Sequence, residues 1–294
     1  MTLDEYLAAQ RPVVDAELQR RLPAEEQTPA IIHSAMRYSV FAGGKRIRPI
    51  LCIAAAEAVA GAAKGVEAAA CALELVHTYS LIHDDLPALD NDDYRRGRLT
   101  CHKVYGDAIA VLAGDALLTL AFQTLAELEA VPAEARLRMI EELSRAAGTV
   151  DGMIGGQVAD LEAEGRPADE KQLAYIHRSK TAALIRASVR IGAVYSGATP
   201  AQCDALSCYG EHIGMAFQIV DDILDVVGTS GELGKTAGKD AAQKKATFPA
   251  LYGIEASREH AATHLAEALQ ALDSFGDRAL RLRQIAGRIV LRTA

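Results

Sequence analysis

Hydrophobic residues along this chain recur at steps of three and four rather than two, the spacing of one face of an α-helix. The pattern is clearest over residues 65–83, where Ala69, Ala72, Leu73, Val76, Ser80 and Leu81 follow one another at such steps. That predicts a long, mostly buried helix. Similar periods run through 30–41, 47–60, 108–128, 133–150, 172–195, 201–227, 254–272 and 278–291. Helix-ending residues fall between them: Gly43-Gly44, Pro87, Pro132, Gly165-Arg166-Pro167, Thr199-Pro200 and the segment 228–238. The pattern predicts an all-α fold, a bundle of about ten or more helices. With no Ser/Pro/Gly-rich linker, low-complexity tract or repeat period, residues 1–294 read as a single domain.

Composition agrees. Half of the 294 residues are hydrophobic, Trp is absent and aromatics are only 5%, which favours helices over strands. The five cysteines are odd in number and form no C-x-x-C pair, so neither a disulfide framework nor a zinc site is expected, and a reducing cytoplasm suits them. Residues 1–20 carry Asp4, Glu5, Asp15 and Glu17 in place of a signal peptide's basic and apolar run. The longest apolar stretches, such as 108–113, fall short of the roughly 20 residues needed to cross a bilayer, so no membrane association is expected. A net charge of −8 argues against generic nucleic-acid binding, so any bound anion must be recognised locally.

Two aspartate clusters change the picture. The first, His83-Asp84-Asp85-Leu86-Pro87-Ala88-Leu89-Asp90-Asn91-Asp92-Asp93, ends an otherwise apolar helix, where the macrodipole disfavours acids unless a cation compensates. Hard oxygen ligands without cysteine suit Mg²⁺ or Ca²⁺. An EF-hand fails, since counting from Asp90 the Gly and Glu positions hold Arg95 and Cys101. Pro87 bends the chain so that Asp90 can return toward Asp84. In the second cluster, Gln218-Ile219-Val220-Asp221-Asp222-Ile223-Leu224-Asp225, Asp221 and Asp225 share a helical face with Gln218. A like-charge pair among apolar neighbours again calls for a cation. Two carboxylate walls could clamp one diphosphate through Mg²⁺, and metal charge would stabilise it as a leaving group.

Basic residues accompany the acids. Gly43-Gly44-Lys45-Arg46-Ile47-Arg48-Pro49 reads as a glycine turn feeding a helix with Lys45 and Arg48 on one face, an anion-binding arrangement. Arg95-Arg96 follow the first cluster, Lys180-Thr181 lie mid-chain, and Lys235 and Lys239 follow the second cluster. His77 stands seven residues before Asp84, on the same helical stripe. The glycines near Lys235 do not form a P-loop, because the motif needs Gly where Thr229 stands. No Ser/His/Asp or Cys/His nucleophile set accompanies these residues.

Through the blocks GGKRIRP, ELVHTYSLIHDDLPALDNDDYRRGRLTCH, AGDALL, GMIGGQVADLEAEG, HRSKTAALIRASVRIGA, FQIVDDILDV and GELGKTAGKDAAQKKATFPALYG, the chain closely resembles the trans-prenyl diphosphate synthases, particularly the bacterial farnesyl diphosphate synthases. The resemblance implies the isoprenoid synthase fold, helices around a central cavity with the aspartate clusters facing each other near its mouth, usually in a homodimer. It implies about three Mg²⁺ ions on carboxylates and diphosphate, held by Asp84, Asp85 and Asp90 on one wall and Asp221 and Asp225 on the other. Arg95, Lys180 and Lys235 would contact the allylic diphosphate. Lys45, Arg48, His77 and Arg96 would hold isopentenyl diphosphate, and Thr181 and Gln218 would lie near the forming cation. Tyr79, five residues before Asp84, with Ser80 beside it, would set a fifteen-carbon product. Ser179 departs from the pattern, standing where relatives often carry His.

The expected activity is therefore farnesyl diphosphate synthesis from isopentenyl and allylic diphosphates, with geranylgeranyl or geranyl diphosphate synthesis as the nearest alternative. A terpene cyclase would need no second anion site, and the Lys45/Arg48/His77 set argues against it. A non-catalytic partner subunit would be free to lose aspartates, and here all are present.

Overall fold

The computed structural model describes residues 1–62, 64–166, 169–227 and 247–291. The described residues are helical almost throughout, as the hydrophobic period predicts. They fall into two compact units, one of residues 1–50 and 64–140, the other of 51–63 and 141–294. The division passes within the third helix after Ile50 and within the seventh after Ile140, so no linker marks it in the sequence.

The first unit contains α1 (Leu3–Arg21), α2 (Ala30–Val40), the start of α3 (Ile47–Ala60), α4 (Val66–Asp84), α5 (Cys101–Tyr105), α6 (Asp107–Ala126) and most of α7 (Ala133–Ala147). Helix α4 is its axis. Its residues are buried on nearly every face, from Val66 to Ile82, as expected of a helix that is apolar all round. It packs on α6, α1 and α2. Helix α1 was not visible as a hydrophobic period, because its inward face is carried by few apolar residues and by Glu17, while a Thr2/Glu5 capping box starts it.

One buried polar group organises this unit. Arg46 is 3% exposed and adopts φ 52°, a left-handed conformation uncommon outside glycine. Its guanidinium donates to Asp15 at 2.8 Å, to buried Glu74 on α4 at 2.7 Å and to the Val40 carbonyl at 2.8 Å. Removing one member of a buried ion pair strands the other. Arg46→Ala is therefore expected to destabilise the protein by about 3–5 kcal/mol, read as a lowered midpoint in urea unfolding.

Helix α6 corrects one expectation. The unbroken apolar run 108–113 ends at Gly114-Asp115, yet α6 as a whole is a 20-residue helix long and apolar enough, by length and composition, to cross a membrane. In the structure it packs against α4, α2 and α5.

The second unit contains the rest of α3 and α7, then α8 (Met153–Ala163), α9 (Glu170–Ile176), a π-helical segment (His177–Ala182), α10 (Ala183–Tyr195), α11 (Pro200–Val227), α12 (Phe248–Tyr252), α13 (Ile254–Ala271), a 3₁₀ segment (Asp273–Ala279) and α14 (Leu280–Val290). The 28-residue α11 is its centre, packed on α13, α10 and the π segment. Ile219, Val220 and Ile223 of α11 join Leu173, Phe248 and Ala261 in one apolar cluster directly beside the second set of aspartates. The sequence period over 172–195 predicted one helix; the structure widens it into a π turn over six residues.

Candidate functional site

In the first unit the acids stand where α4 runs out. Asp84 is its last residue and Asp85 its cap. Beyond Pro87 the chain folds back, with the Asp90 amide donating to the Asp84 carbonyl at 2.8 Å and the Asn91 amide to the Leu86 carbonyl at 3.1 Å. Asn91 takes φ 50° to close the turn. Asp84 and Asp90 thus meet on one turn, both half-buried. Hard carboxylate oxygens at an unfavourable helix end fit a hard divalent cation.

Asp85 is different. It is 3% exposed and gripped by Arg95, whose Nε donates to Oδ1 at 2.8 Å and Oδ2 at 2.9 Å while Nη2 reaches Oδ1 at 2.6 Å. Burial pushes the Asp85 carboxyl above its ordinary range, and the Arg95 charge opposes that shift.

Arg95 owes its position to a hairpin that the helical period did not reveal. Strands β1 (Tyr94–Arg95) and β2 (Arg98–Leu99) pair antiparallel. Arg96 at φ 54° and Gly97 at φ 74° form the two-residue turn, the positive-φ pair that matches strand twist. Side chains alternate along a strand. Arg95 reaches Asp85, while Arg96 donates through Nη1 to the Gly43 carbonyl. Gly44 beside it takes φ 133°, a backbone conformation that L side chains rarely adopt, and that is what asks for glycine at this point of the loop.

The glycine loop therefore meets the hairpin, and a basic pocket results. Burial first, then the positive charges of Arg48, Arg96, Arg95 and Arg46, hold the His77 imidazole well below its usual range. Arg46 and Arg95 among them are paired with Glu74 and Asp85, so Arg48 and Arg96 beside this imidazole are the candidates to hold an anion. Lys45 and Arg48 are not on one helical face as expected. Helix α3 begins at Ile47, so Lys45 stands before it, exposed on the loop that Gly43, Gly44 and Arg46 turn through positive φ. A cleft lined by Tyr38, Thr78, Ile82, Asp85, Arg95 and Arg96 lies alongside.

Tyr79 is 5% exposed on α4, its ring edge-on to His83 at 5.6 Å. Burial and then the Asp84 charge push its hydroxyl up to about 12. That hydroxyl has no hydrogen-bond partner among the described residues. Half-buried Ser80 donates back to the His77 carbonyl at 2.9 Å, a bond within its own helix.

The second unit repeats the division of labour between paired acids. Asp221 on α11 is half-buried, whereas Asp222 is 3% exposed and fully engaged. Asp222 accepts from Gln218 Nε2 at 3.0 Å and from the Phe248 amide at 3.0 Å, and His177 Nε2 lies 3.3 Å away. Asp225 is buried. Gln218 Oε1 in turn accepts from Thr181 Oγ1 at 2.8 Å. Thr181 and Gln218, singled out in the sequence, are therefore in direct contact.

The π segment presents this chemistry. Single π turns inside α-helices concentrate at functional sites, and this one carries His177, Ser179, Lys180 and Thr181. Lys180 Nζ donates to Asp160 on α8 at 2.6 Å. A Cβ on Gly156 would stand 2.3 Å from the Lys180 amide nitrogen, so α8 crosses the π turn at contact distance. Ser179 is fully buried and its hydroxyl has no partner among the described residues. Lys235 and Lys239 lie outside the described residues.

A family model for polyprenyl synthetase matches residues 29–280. The chain belongs to the polyprenyl synthetase family. Among curated members, a dimethylallyltranstransferase from Fischerella ambigua is 49% identical over 99% of this chain and 84% of its own length. A farnesyl diphosphate synthase from Geobacillus stearothermophilus is 45% identical over 92% of each. The crystal structure of an FPP/GFPP synthase from Zymomonas mobilis superposes with a TM-score of 0.87 at 37% identity, covering 98% of each chain.

Membership in the polyprenyl synthetase family covers both acidic motifs, but the geometry adds residues that motif reading passed over. Asp222 and His177 buttress the π turn, Asp160 orients Lys180, and Arg46 ties down the loop bearing Lys45. The signals were present as an acid in GMIGGQVADLEAEG and an Arg inside GGKRIRP.

Proposed function

We propose that this protein is a magnesium-dependent farnesyl diphosphate synthase, a prenyltransferase joining isopentenyl diphosphate head-to-tail to dimethylallyl or geranyl diphosphate. The observation that carries the reading is that α4 holds both ends of the chemistry. Half-buried Asp84 ends it above, and buried Tyr79 lies five residues below. A helical turn rises about 5.4 Å, close to one isoprene unit, so a bulky side chain at that depth counts units.

The residues divide the work. Asp84 and Asp90 in the first unit, and Asp221 with Asp225 in the second, would hold Mg²⁺, which when bound makes diphosphate a better leaving group. Arg95 and Lys180 neutralise the allylic diphosphate, and each is aimed by its own carboxylate, Asp85 or Asp160. Lys45, Arg48, His77 and Arg96 retain the diphosphate of isopentenyl diphosphate. The allylic C–O bond breaks, the isopentenyl double bond attacks the resulting cation, and a proton leaves to the departing diphosphate. The Thr181 hydroxyl and Gln218 amide offer dipoles to the cation, while the apolar neighbours of α11 keep water from quenching it.

We place the enzyme in the cytoplasm as a homodimer. The five free cysteines support the compartment. Exposed apolar side chains support the dimer: Val111 and Leu112 on α6, and Ile154, Val158 and Leu161 along one face of α8.

Purified protein supplied with Mg²⁺, isopentenyl diphosphate and each allylic starter in turn is expected to give farnesyl diphosphate as the main product by mass spectrometry. A main product of twenty carbons would make it a geranylgeranyl diphosphate synthase, and no condensation with any starter would overturn prenyl transfer.

A further inference from the structure

Nine residues before Asp221, three metal-ligating side chains converge where α11 packs on α13. His212 Nδ1 lies 2.9 Å from His264 Nδ1 and 2.9 Å from Glu267 Oε2, and His264 Nδ1 lies 3.7 Å from the same oxygen. The two rings are 5.2 Å apart and tilted by 42°. Two ligands about 2.1 Å from one ion at the tetrahedral angle stand about 3.4 Å apart, and the three observed edges bracket that value. His264 and Glu267 share one face of α13 at a three-residue step, and His212 meets them from α11.

The donor set differs in kind from the aspartates. Two imidazole nitrogens with one carboxylate oxygen suit borderline ions such as Zn²⁺ or Co²⁺, whereas Mg²⁺ prefers oxygen alone. The histidine side chains are 25% and 23% exposed and that of Glu267 48%, so an ion can enter from solvent and keep a water in its fourth position. Without an ion, two imidazole nitrogens this close share at most one hydrogen between them, and protonation of both rings sets like charges in contact.

We infer that His212, His264 and Glu267 form a binding site for a divalent transition-metal ion of the zinc class, separate from the diphosphate site, that clamps α11 to α13. Helix α11 also carries Asp221, nine residues or about 13 Å further along its axis. An ion at His212 therefore braces the helix that presents the second acidic cluster.

The test uses tag-free, full-length protein stripped by chelation and titrated with Co²⁺ in the presence of excess Mg²⁺, which occupies the aspartates. One Co²⁺ per chain is expected, seen by its visible d–d absorption, displaced by Zn²⁺ and accompanied by a higher melting temperature. His212→Ala and His264→Ala should each weaken binding roughly tenfold or more, and Glu267→Gln less. Cys208, exposed one turn before His212, serves as the control, and Cys208→Ser should retain the ion. Should the alanine variants lose their helical circular dichroism, Glu267→Gln alone carries the comparison. Absence of stoichiometric uptake, uptake unchanged in the histidine and glutamate variants, or loss confined to Cys208→Ser would each overturn the site.

Discussion

Asp84→Ala is expected to cut the condensation rate by roughly 10²–10³-fold or more while leaving helical content and melting temperature near wild type. Asp84 is half-buried at a helix C-terminus, where its charge is unfavourable for the fold, so its removal relieves repulsion as it deletes a cation ligand. Asp221→Ala should behave alike. The neighbouring acids supply the contrast. Asp85→Asn strips Arg95 of its bidentate partner, and Asp222→Asn weakens the contacts to Gln218, the Phe248 amide and His177. Both should cost about 2–3 kcal/mol of stability, because each charged acceptor is buried. Steady-state kinetics beside thermal melts separate the two classes. Near-wild-type turnover in Asp84→Ala would sink the metal-clamp mechanism, and equal melting losses in all four variants would show that the paired acids are not divided as the geometry divides them.

That division marks the boundary of what the sequence reveals. The period of α4, the DD pairs and the face shared by Gln218 and Asp221 are local patterns, legible because helical geometry is regular. Which member of a DD pair turns inward is not local, since it depends on Arg95 arriving from a hairpin and on the Phe248 amide arriving 26 residues later. The hairpin itself hides in Arg95-Arg96-Gly97-Arg98, which reads as charge until the positive φ of Arg96 and Gly97 is seen. The π turn hides likewise, because His177-Arg178-Ser179-Lys180-Thr181-Ala182 has ordinary helical residues, and the groups it meets, Gly156 and Asp222, arrive from other helices. Lys45 and Arg48 look equivalent on a helical wheel. The left-handed Arg46 between them puts one on a loop and the other in a helix.

The second large effect concerns product length, and it turns on one ring. Tyr79→Ala removes a buried aromatic from α4 below Asp84, and the expected result is a shift of the main product from fifteen to twenty or more carbons. The same change leaves a cavity, with a stability cost of about 3–5 kcal/mol if the chain does not relax into it. A growing apolar tail offsets part of that cost by filling the space, so product chains and melting temperature should respond together when a long allylic diphosphate is added. Tyr79→Phe separates bulk from polarity. The Tyr79 hydroxyl has no hydrogen-bond partner among the described residues, so its loss should leave both product length and stability close to wild type, or slightly raise stability. Chromatography of dephosphorylated products from the three proteins decides the matter: an unchanged profile in Tyr79→Ala, or a lengthened one in Tyr79→Phe, would remove Tyr79 as the floor.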